Sequence, residues 1–145
     1  MSIWFKPYLI EDLLKLHIKD TMAETLGIEL TELTPESLKC RMEVNQKTVQ
    51  SMGILHGGGS AALAETLGSI ASNMVVDDSK YFCVGLDINA SHLRPVKSGF
   101  IYAEATPVHI GKKTHVWKIE IKTANGKLVC ISRLTMAVLD ISEKR

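Results

Sequence analysis

The sequence predicts an α+β fold in which a mainly antiparallel sheet of about six strands wraps one long central helix. Residues 57–76 form an apolar run with a single charged side chain, Glu65, which is typical of a buried helix. Six other segments alternate apolar with polar residues, as strands do. The predicted order is helix, two strands, long helix, four strands. No linker or repeat interrupts residues 1–145, so we expect one domain.

Composition narrows the class of protein. Of the 145 residues, 46% are apolar and 23% are charged, so a core can form without disulfides or metal. The net charge of +1 gives no basic surplus for nucleic acid. Cys40, Cys83 and Cys130 form no CxxC pair, and we expect them to be reduced, buried thiols of a cytoplasmic protein. The N-terminus lacks a secretory pattern, and polar residues within 57–76 argue against a membrane span.

The elements before the long helix follow from local patterns. An amphipathic helix is predicted near residues 11–19, where Leu13, Leu14, Leu16 and Ile18 alternate with charged residues. Residues 28–33 and 38–44 each alternate, with Pro35 between them, and predict a hairpin. An irregular segment, residues 45–56, then leads into the helix.

Four strands are predicted after the helix, at residues 81–94, 99–110, 114–123 and 128–139. Pro107 indicates an edge strand or a bulge, and Asn125-Gly126 predicts a two-residue hairpin turn. The apolar positions of the alternation are Val84, Leu86, Ile88, Ala90, Ile101, Ala103, Ala105, Val108, Trp117, Ile119 and Ile121, with His115 on the same face as Trp117.

Glu65 lies on an unusual face of the predicted helix. The core-facing stripe is formed by Leu63, Leu67, Ile70 and Met74. Glu65 lies about 200° around the helix from Leu63, and its own face carries only small residues, namely Ala61, Ala62, Ser69 and Ser72. We expect this second face to be covered by another part of the fold or by another subunit. A carboxylate there either caps a loop or serves chemistry, because an unpaired buried charge is costly.

The residues before the helix can polarise a carbonyl group. A Gly57-Gly58-Gly59 start offers backbone N–H groups at the positive end of the helix dipole, suited to a phosphate or to an oxyanion. Gln50 and His56 could hydrogen-bond nearby, although an isolated loop histidine more commonly bonds to backbone. Ser69 lies one turn after Glu65 and either shares its pocket or simply permits close packing. The sequence has no Gly-x-Ser-x-Gly elbow and no metal-ligand spacing.

These motifs resemble a known family. The run from Gly53 to Ser60, followed by Leu63-Ala64-Glu65 and Gly68-Ser69, resembles the signature of PaaI-type hotdog thioesterases. Residues 84–94 and 115–121 are similar to the branch with bacterial 1,4-dihydroxy-2-naphthoyl-CoA thioesterases and the enterobactin-pathway proofreading thioesterase. The resemblance covers nearly the whole chain after the first helix. It implies a hotdog fold and hydrolysis of an acyl-CoA, with an aromatic acyl group expected.

The resemblance also assigns roles. Glu65 would be the nucleophile or the general base, and Ser69 would help to position water. Gln50, His56 and the N–H of Gly57 would polarise the thioester carbonyl. The family builds this site across a dimer interface, with the glutamate facing the glutamine and histidine of the other subunit, and two dimers usually form a tetramer. No cofactor, metal, nucleic-acid partner or membrane partner is implied, since CoA is part of the substrate.

The CoA tail is expected near five residues: Gly58, His92, Arg94, Lys112 and Lys113. The four basic side chains could meet its phosphates, or they could be ordinary solvated loop charges. Lys112-Lys113 stands where the resemblance implies a Ser-Arg pair, so the family's nucleotide contacts do not carry over directly to these two positions.

Two other functions compete with hydrolysis. A hotdog hydratase or dehydratase also pairs a histidine with a helix carboxylate, but only eight residues separate His56 from Glu65 here, fewer than in those enzymes. A non-catalytic acyl-CoA sensor would carry a DNA-binding segment, for which the chain has no spare length. The acyl group, the pathway and the choice between CoA and carrier-protein thioesters stay open.

Overall fold

The apolar run forms the long helix α3, Gly57–Val75, at the centre of the computed structural model, which describes residues 1–144. The predicted stripe of Leu63, Leu67, Ile70 and Met74 is buried. The prediction of one long buried helix is therefore confirmed. No helix within residues 1–144 is long and apolar enough to cross a membrane.

Six strands form one antiparallel sheet against α3: β1 Glu29–Leu33, β2 Leu38–Val44, β3 Tyr81–His92, β4 Gly99–Ile110, β5 Thr114–Thr123 and β6 Leu128–Asp140. Their order across the sheet is β1-β2-β4-β5-β6-β3, and every neighbouring pair is antiparallel. The α+β class and the element order after the first helix are confirmed. Because β1 and β3 are the edges, each pairs with one strand only.

The N-terminal helical region differs from the single amphipathic helix that the sequence predicts. α1, Ile10–Leu13, continues as a π-helical turn, Leu14–Ile18, and a short α2, Met22–Thr25, follows. The N–H of Lys19 donates to the Leu14 carbonyl over 3.0 Å, five residues back. This wider turn places Leu13 and Ile18 in the core, whereas Leu16 is exposed, contrary to the expected apolar face.

Strands β4 and β5 fulfil most of the predicted pattern. His115, Trp117, Ile119 and Ile121 of β5 are all buried. Pro107 lies at a register shift inside the interior strand β4, so of the two alternatives the bulge is right and the edge position is wrong. The bulge turns Val108, expected in the core, out to solvent. The hairpin at Asn125-Gly126 is confirmed, but the predicted two-residue loop is wrong. The Thr123 N–H donates to the Lys127 carbonyl and the Gly126 N–H donates to the Thr123 carbonyl, each over 2.9 Å, so the loop has three residues, 124–126.

Strand β3 is the main departure from the predicted core. Val84 and Leu86 are 39% and 62% exposed, although alternation predicts that they face inward. A register shift between Gly85 and Asp87 interrupts the pairing with β6, and no strand within residues 1–144 covers the outer edge of β3. The result is an open strand edge that carries apolar side chains.

A buried polar cluster lies between α3 and β5. The Trp117 indole N–H donates to the Ser72 hydroxyl over 2.6 Å, and the Nδ1 of His115 lies 3.1 Å from the same oxygen. Ser72 and Trp117 are fully buried. Burial lowers the pKa of His115, and a hydrogen bond to the Gly111 backbone opposes this shift only in part.

The N-terminal residues close the C-terminal end of α3. Trp4 stacks on Trp117 with ring centroids 6.3 Å apart and planes 5° apart. The Trp4 indole donates to the Thr34 carbonyl over 2.7 Å, and the Phe5 N–H donates to the Met74 carbonyl over 2.9 Å. These bonds tie residues 3–5 to both the helix and the β1–β2 turn. Cys40, Cys83 and Cys130 are buried, as predicted.

Candidate active site

The segment before α3 is irregular in shape but fixed by hydrogen bonds. The Leu55 N–H donates to the Val96 carbonyl over 2.7 Å, and the His56 N–H donates to the Thr48 carbonyl over 2.8 Å. The His56 Nδ1 accepts from the Gly58 N–H over 2.7 Å, so His56 caps the helix. Because Nδ1 is an acceptor, a neutral His56 ring carries its proton on Nε2, where it can donate to a ligand.

The glycine-rich helix start offers one free N–H, fewer than the sequence suggests. The Gly58 N–H bonds to the His56 ring, and the Gly59 N–H donates to the His56 carbonyl over 2.9 Å. The Gly57 N–H donates to no group within residues 1–144. Gly57 is therefore the backbone donor that remains available at the positive end of α3.

His92 lies against this helix start. A β-carbon on Gly57 would come within 2.9 Å of the His92 Nε2, so only glycine allows the ring to lie so close. His92 and His56 therefore both lie near Gly57, since the His56 ring bonds to the next residue, Gly58. Of the residues expected to bind CoA, His92 and Gly58 are the two that the structure places beside the predicted carbonyl site.

Gln50 lies on the same segment as His56. Its side-chain oxygen accepts from the Met52 N–H, and its main-chain carbonyl accepts from the Gly53 N–H over 2.9 Å. Because the amide oxygen is occupied, the amide –NH₂ is the part of this side chain that can donate to a ligand.

Glu65 projects from the middle of α3 and is exposed. Its Oε1 lies 2.7 Å from the position that a β-carbon on Gly85 would occupy, so the carboxylate rests against the backbone of β3. It forms no ion pair or side-chain hydrogen bond within residues 1–144. We expected the helix face that carries Glu65 to be covered. Strand β5 buries Ser72 on this face, whereas Glu65 on the same face is exposed in the single chain.

Asn73 fixes β3 beside the carboxylate, and the sequence reasoning missed it. Its side-chain oxygen accepts from the Cys83 N–H over 2.9 Å, and its –NH₂ donates to the Cys83 carbonyl over 3.2 Å and to the Ser69 carbonyl over 2.9 Å. These bonds hold β3 against α3 two residues before Gly85. The signal available in the sequence was a lone amide within an apolar helix, eight residues after Glu65.

Glu65 and Ser69 line one cavity of about 320 Å³. The two residues are one helical turn apart, as the sequence predicts. The Ser69 hydroxyl lies 3.7 Å from the Met136 sulfur, a weak contact that leaves the hydroxyl able to bond to a ligand. The Glu65 carboxylate contacts β3 on one side and faces the cavity on the other, so a molecule bound in the cavity can reach it.

The structure separates the predicted site into two groups within one chain. Gln50, His56 and Gly57 lie at the start of α3, whereas Glu65 and Ser69 lie near its middle. Glu65 is nine positions after His56, which is about 13 Å along the helix axis. A single carbonyl group cannot touch both groups of the same chain.

The predicted cationic residues are also separated. Arg94 follows β3 at the end of the molecule that holds the start of α3. Lys112 and Lys113 lie in the β4–β5 turn, at the opposite end of α3. The Lys113 carbonyl accepts from the Val138 N–H over 2.8 Å. Lys112 lines a cavity together with Val75 and Val76. The helix of 19 residues makes the two ends about 28 Å apart.

Comparison with known proteins gives consistent matches. The sequence model of the thioesterase superfamily matches residues 52–130. The proofreading thioesterase EntH of Cronobacter turicensis is 44% identical over 119 residues, 82% of this chain and 86% of that protein. The crystal structure of a mutant thioesterase from Pseudomonas aeruginosa superposes with a TM-score of 0.94, at 44% identity over 97% of this chain and 100% of that one. A thioesterase from Haemophilus influenzae gives 0.94 at 42% identity, over 99% of both chains.

Proposed function

The chain belongs to the thioesterase superfamily and is a thioesterase with the hotdog fold, and from this premise we propose that it hydrolyses an aromatic acyl-CoA with Glu65 as the catalytic carboxylate. The observation that carries the proposal is the exposed, unpaired Glu65 on an otherwise uncharged helix, held against Gly85 beside a cavity. A carboxylate left free beside a cavity is available to act as a nucleophile or a base. The resemblance of residues 84–94 to aryl-CoA thioesterases supports the aromatic acyl group.

A second copy of the chain completes the site. The 13 Å separation along α3 supports an arrangement in which Glu65 works with Gln50, His56 and Gly57 of another subunit. The open β3 edge, with Leu86 and Val84 exposed, offers the surface for that association. Pairing of two β3 edges about a two-fold axis would be antiparallel and would continue the sheet from one subunit into the next.

The same two-fold axis accounts for the separated cations. Antiparallel pairing of β3 sets the His92 end of one copy beside the Tyr81 end of the other. Arg94 of one subunit then lies on the same side of the dimer as Lys112 and Lys113 of the second copy. Together they form a composite surface for the phosphates of CoA.

The reaction follows from these donors and the carboxylate. The thioester oxygen accepts from the Gly57 N–H, the His56 Nε2–H and the Gln50 amide, which stabilise the charge that develops on it. In one route, Glu65 attacks the carbonyl carbon and expels the CoA thiolate, and water then hydrolyses the mixed anhydride. In the other, Glu65 takes a proton from a water that attacks the same carbon, and the tetrahedral intermediate expels the thiolate. Both routes give the free acid and CoA.

Glu65→Gln tests the carboxylate. The assay is release of CoA thiol from benzoyl-, hydroxybenzoyl-, dihydroxynaphthoyl-, phenylacetyl- and straight-chain acyl-CoAs. We expect kcat to fall by about 10²–10⁴ with an unchanged melting temperature, because the amide cannot accept a proton or attack. Glu36→Gln, an exposed residue in the β1–β2 turn, is the matched control. Wild-type rates in Glu65→Gln would refute the mechanism.

Mixing two inactive variants tests the shared site. Glu65→Gln and His56→Ala chains are unfolded together, refolded and assayed. If each site takes Glu65 from one subunit and His56 from the other, every heterodimer contains one intact site, and random pairing restores about a quarter of wild-type activity. If each site lies within one chain, mixing restores nothing.

A further inference from the structure

The cavity beside Glu65 has a second wall, which is formed by the N-terminal helical region. Across from Glu65 and Ser69 it is lined by His17, Thr21 and Met22 of the N-terminal helical region. This wall comes from a different part of the chain than Gln50, His56, Gly57 and Glu65. A wall of this kind can alter which ligands fit without altering the catalytic groups.

We propose, resting on the function proposed above, that this cavity receives the acyl group and that His17 selects acyl groups bearing a hydroxyl by hydrogen bonding to it. Met22 forms the apolar rim that limits their size. His17 is thus a specificity-determining residue, separate from the groups that polarise and attack the thioester.

The chemistry of His17 suits this role. The residue is half-buried, and its ring nitrogens bond to no group within residues 1–144. Desolvation lowers the pKa of His17, so the ring is neutral near pH 7 and offers one N–H donor and one nitrogen acceptor. A phenolic hydroxyl both donates and accepts, so it can bond to either ring nitrogen.

The local backbone directs this side chain. His17 lies in the π-helical turn Leu14–Ile18, and the Lys19 N–H bonds to the Leu14 carbonyl five residues back. Single π-helical turns occur frequently at functional sites, since the extra residue changes the direction of the side chains that follow. The turn buries Ile18 in the core, and its neighbour His17 lines the cavity.

The size of the cavity suits an aromatic group. An apolar cavity of about 150 Å³ holds one benzene ring. The cavity beside Glu65 is open on one side and has a volume of about 320 Å³ in the single chain, which leaves room for an aromatic ring before a second subunit covers it. Met22 is 63% exposed at its rim, so a larger side chain there would narrow the entrance.

The test compares His17→Leu with the wild type on benzoyl-CoA and on 2-, 3- and 4-hydroxybenzoyl-CoA. Leucine fills similar space without a hydrogen-bonding group. We expect kcat/KM for the preferred hydroxybenzoyl isomer to fall about tenfold and that for benzoyl-CoA to change less than twofold. His17→Gln, which keeps a donor and an acceptor, should recover part of the loss. His109→Leu, an exposed histidine on β4 away from the cavity, should match the wild type.

Binding measurements separate this proposal from the proposed function. Dissociation constants for the same thioesters are measured by calorimetry in the Glu65→Gln background, where turnover does not interfere. A tenfold weaker binding of the hydroxylated ligand in His17→Leu supports the inference even if no thioester is hydrolysed by the wild type. The inference would be overturned if the ratio of hydroxybenzoyl-CoA to benzoyl-CoA affinity in the Glu65→Gln, His17→Leu double variant lay within twofold of the ratio in Glu65→Gln alone. Met22→Trp should exclude naphthoyl-CoA and spare acetyl-CoA, and equal effects on both would also count against the acyl site.

Discussion

Gly85→Ala should reduce catalysis without weakening the fold. The added β-carbon would lie 2.7 Å from the Glu65 Oε1, whereas ordinary van der Waals contact begins at 3.4 Å. The carboxylate must therefore move by about 0.7 Å. Since a misplacement of about 1 Å can cost 10² in rate, we expect kcat to fall by roughly 10- to 100-fold.

The effect of the same change on stability should be small or favourable. Only the end of a flexible side chain has to move, and Gly85 is not among the glycines with a positive φ. Alanine at a compatible backbone position stabilises a protein by about 0.4–1 kcal/mol, because it restricts the unfolded chain. The melting temperature should therefore equal or exceed that of the wild type, and the oligomeric state should be unchanged, while activity falls.

A double-mutant cycle decides whether the contact is the cause. The shorter side chain in Glu65→Asp withdraws the carboxylate from Gly85, so adding Gly85→Ala to that variant should cost much less than it costs the wild type. The measurements are kcat and KM for one aryl-CoA in all four proteins. Unchanged kcat in Gly85→Ala, or fully additive losses, would show that Glu65 does not act from the position seen in the structure.

Three other changes test how the site is supported. Ser72→Ala leaves the Trp117 indole and the His115 ring without their shared partner, and the free energy of unfolding in urea should fall by about 1–3 kcal/mol; no loss would contradict the cluster. Asn73→Ala frees the Cys83 backbone and should lower both the melting temperature and kcat, whereas a change in stability alone would show that β3 does not position Glu65. Burial lowers the pKa of His115 in the folded state. As the pH falls through about 6.5, the His115 ring therefore gains a proton in the unfolded chain but not in the folded one. The free energy of unfolding should consequently decrease as the pH is lowered from 7.5 to 5.5. Equal stability at both pH values would contradict that assignment.

Periodicity correctly predicted the buried face of those helices and strands that are covered on one face along their whole length. The stripe from Leu63 to Met74 and the inner face of β5 are each covered along their whole length, so alternation or helical spacing alone identifies the buried side. The pattern failed for Val84 and Leu86 because β3 lies at the edge of the sheet, and strand order is a long-range property. It failed for Leu16 because a π-helical turn changes the spacing that places residues on one face.

The candidate site was predictable in its residue types but not in its arrangement. Glu65 was identified by its isolation in an apolar helix, and His56 by its position before the glycines. The distance of about 13 Å between them follows from nine positions along the predicted helix, whereas the position of His92 against Gly57 did not follow from the sequence. Asn73 and His17 were missed because their roles depend on contacts between elements distant in the sequence.

The stacking of Trp4 on Trp117 decides what intrinsic fluorescence can report. The chain has two tryptophans, and both belong to this one stack over the C-terminal end of α3. Emission will therefore follow the docking of residues 3–5 onto the sheet, so a change on adding substrate does not by itself report occupancy of the cavity beside Glu65. A dye or a tryptophan introduced at the β3 edge is the more suitable optical probe for ligand binding.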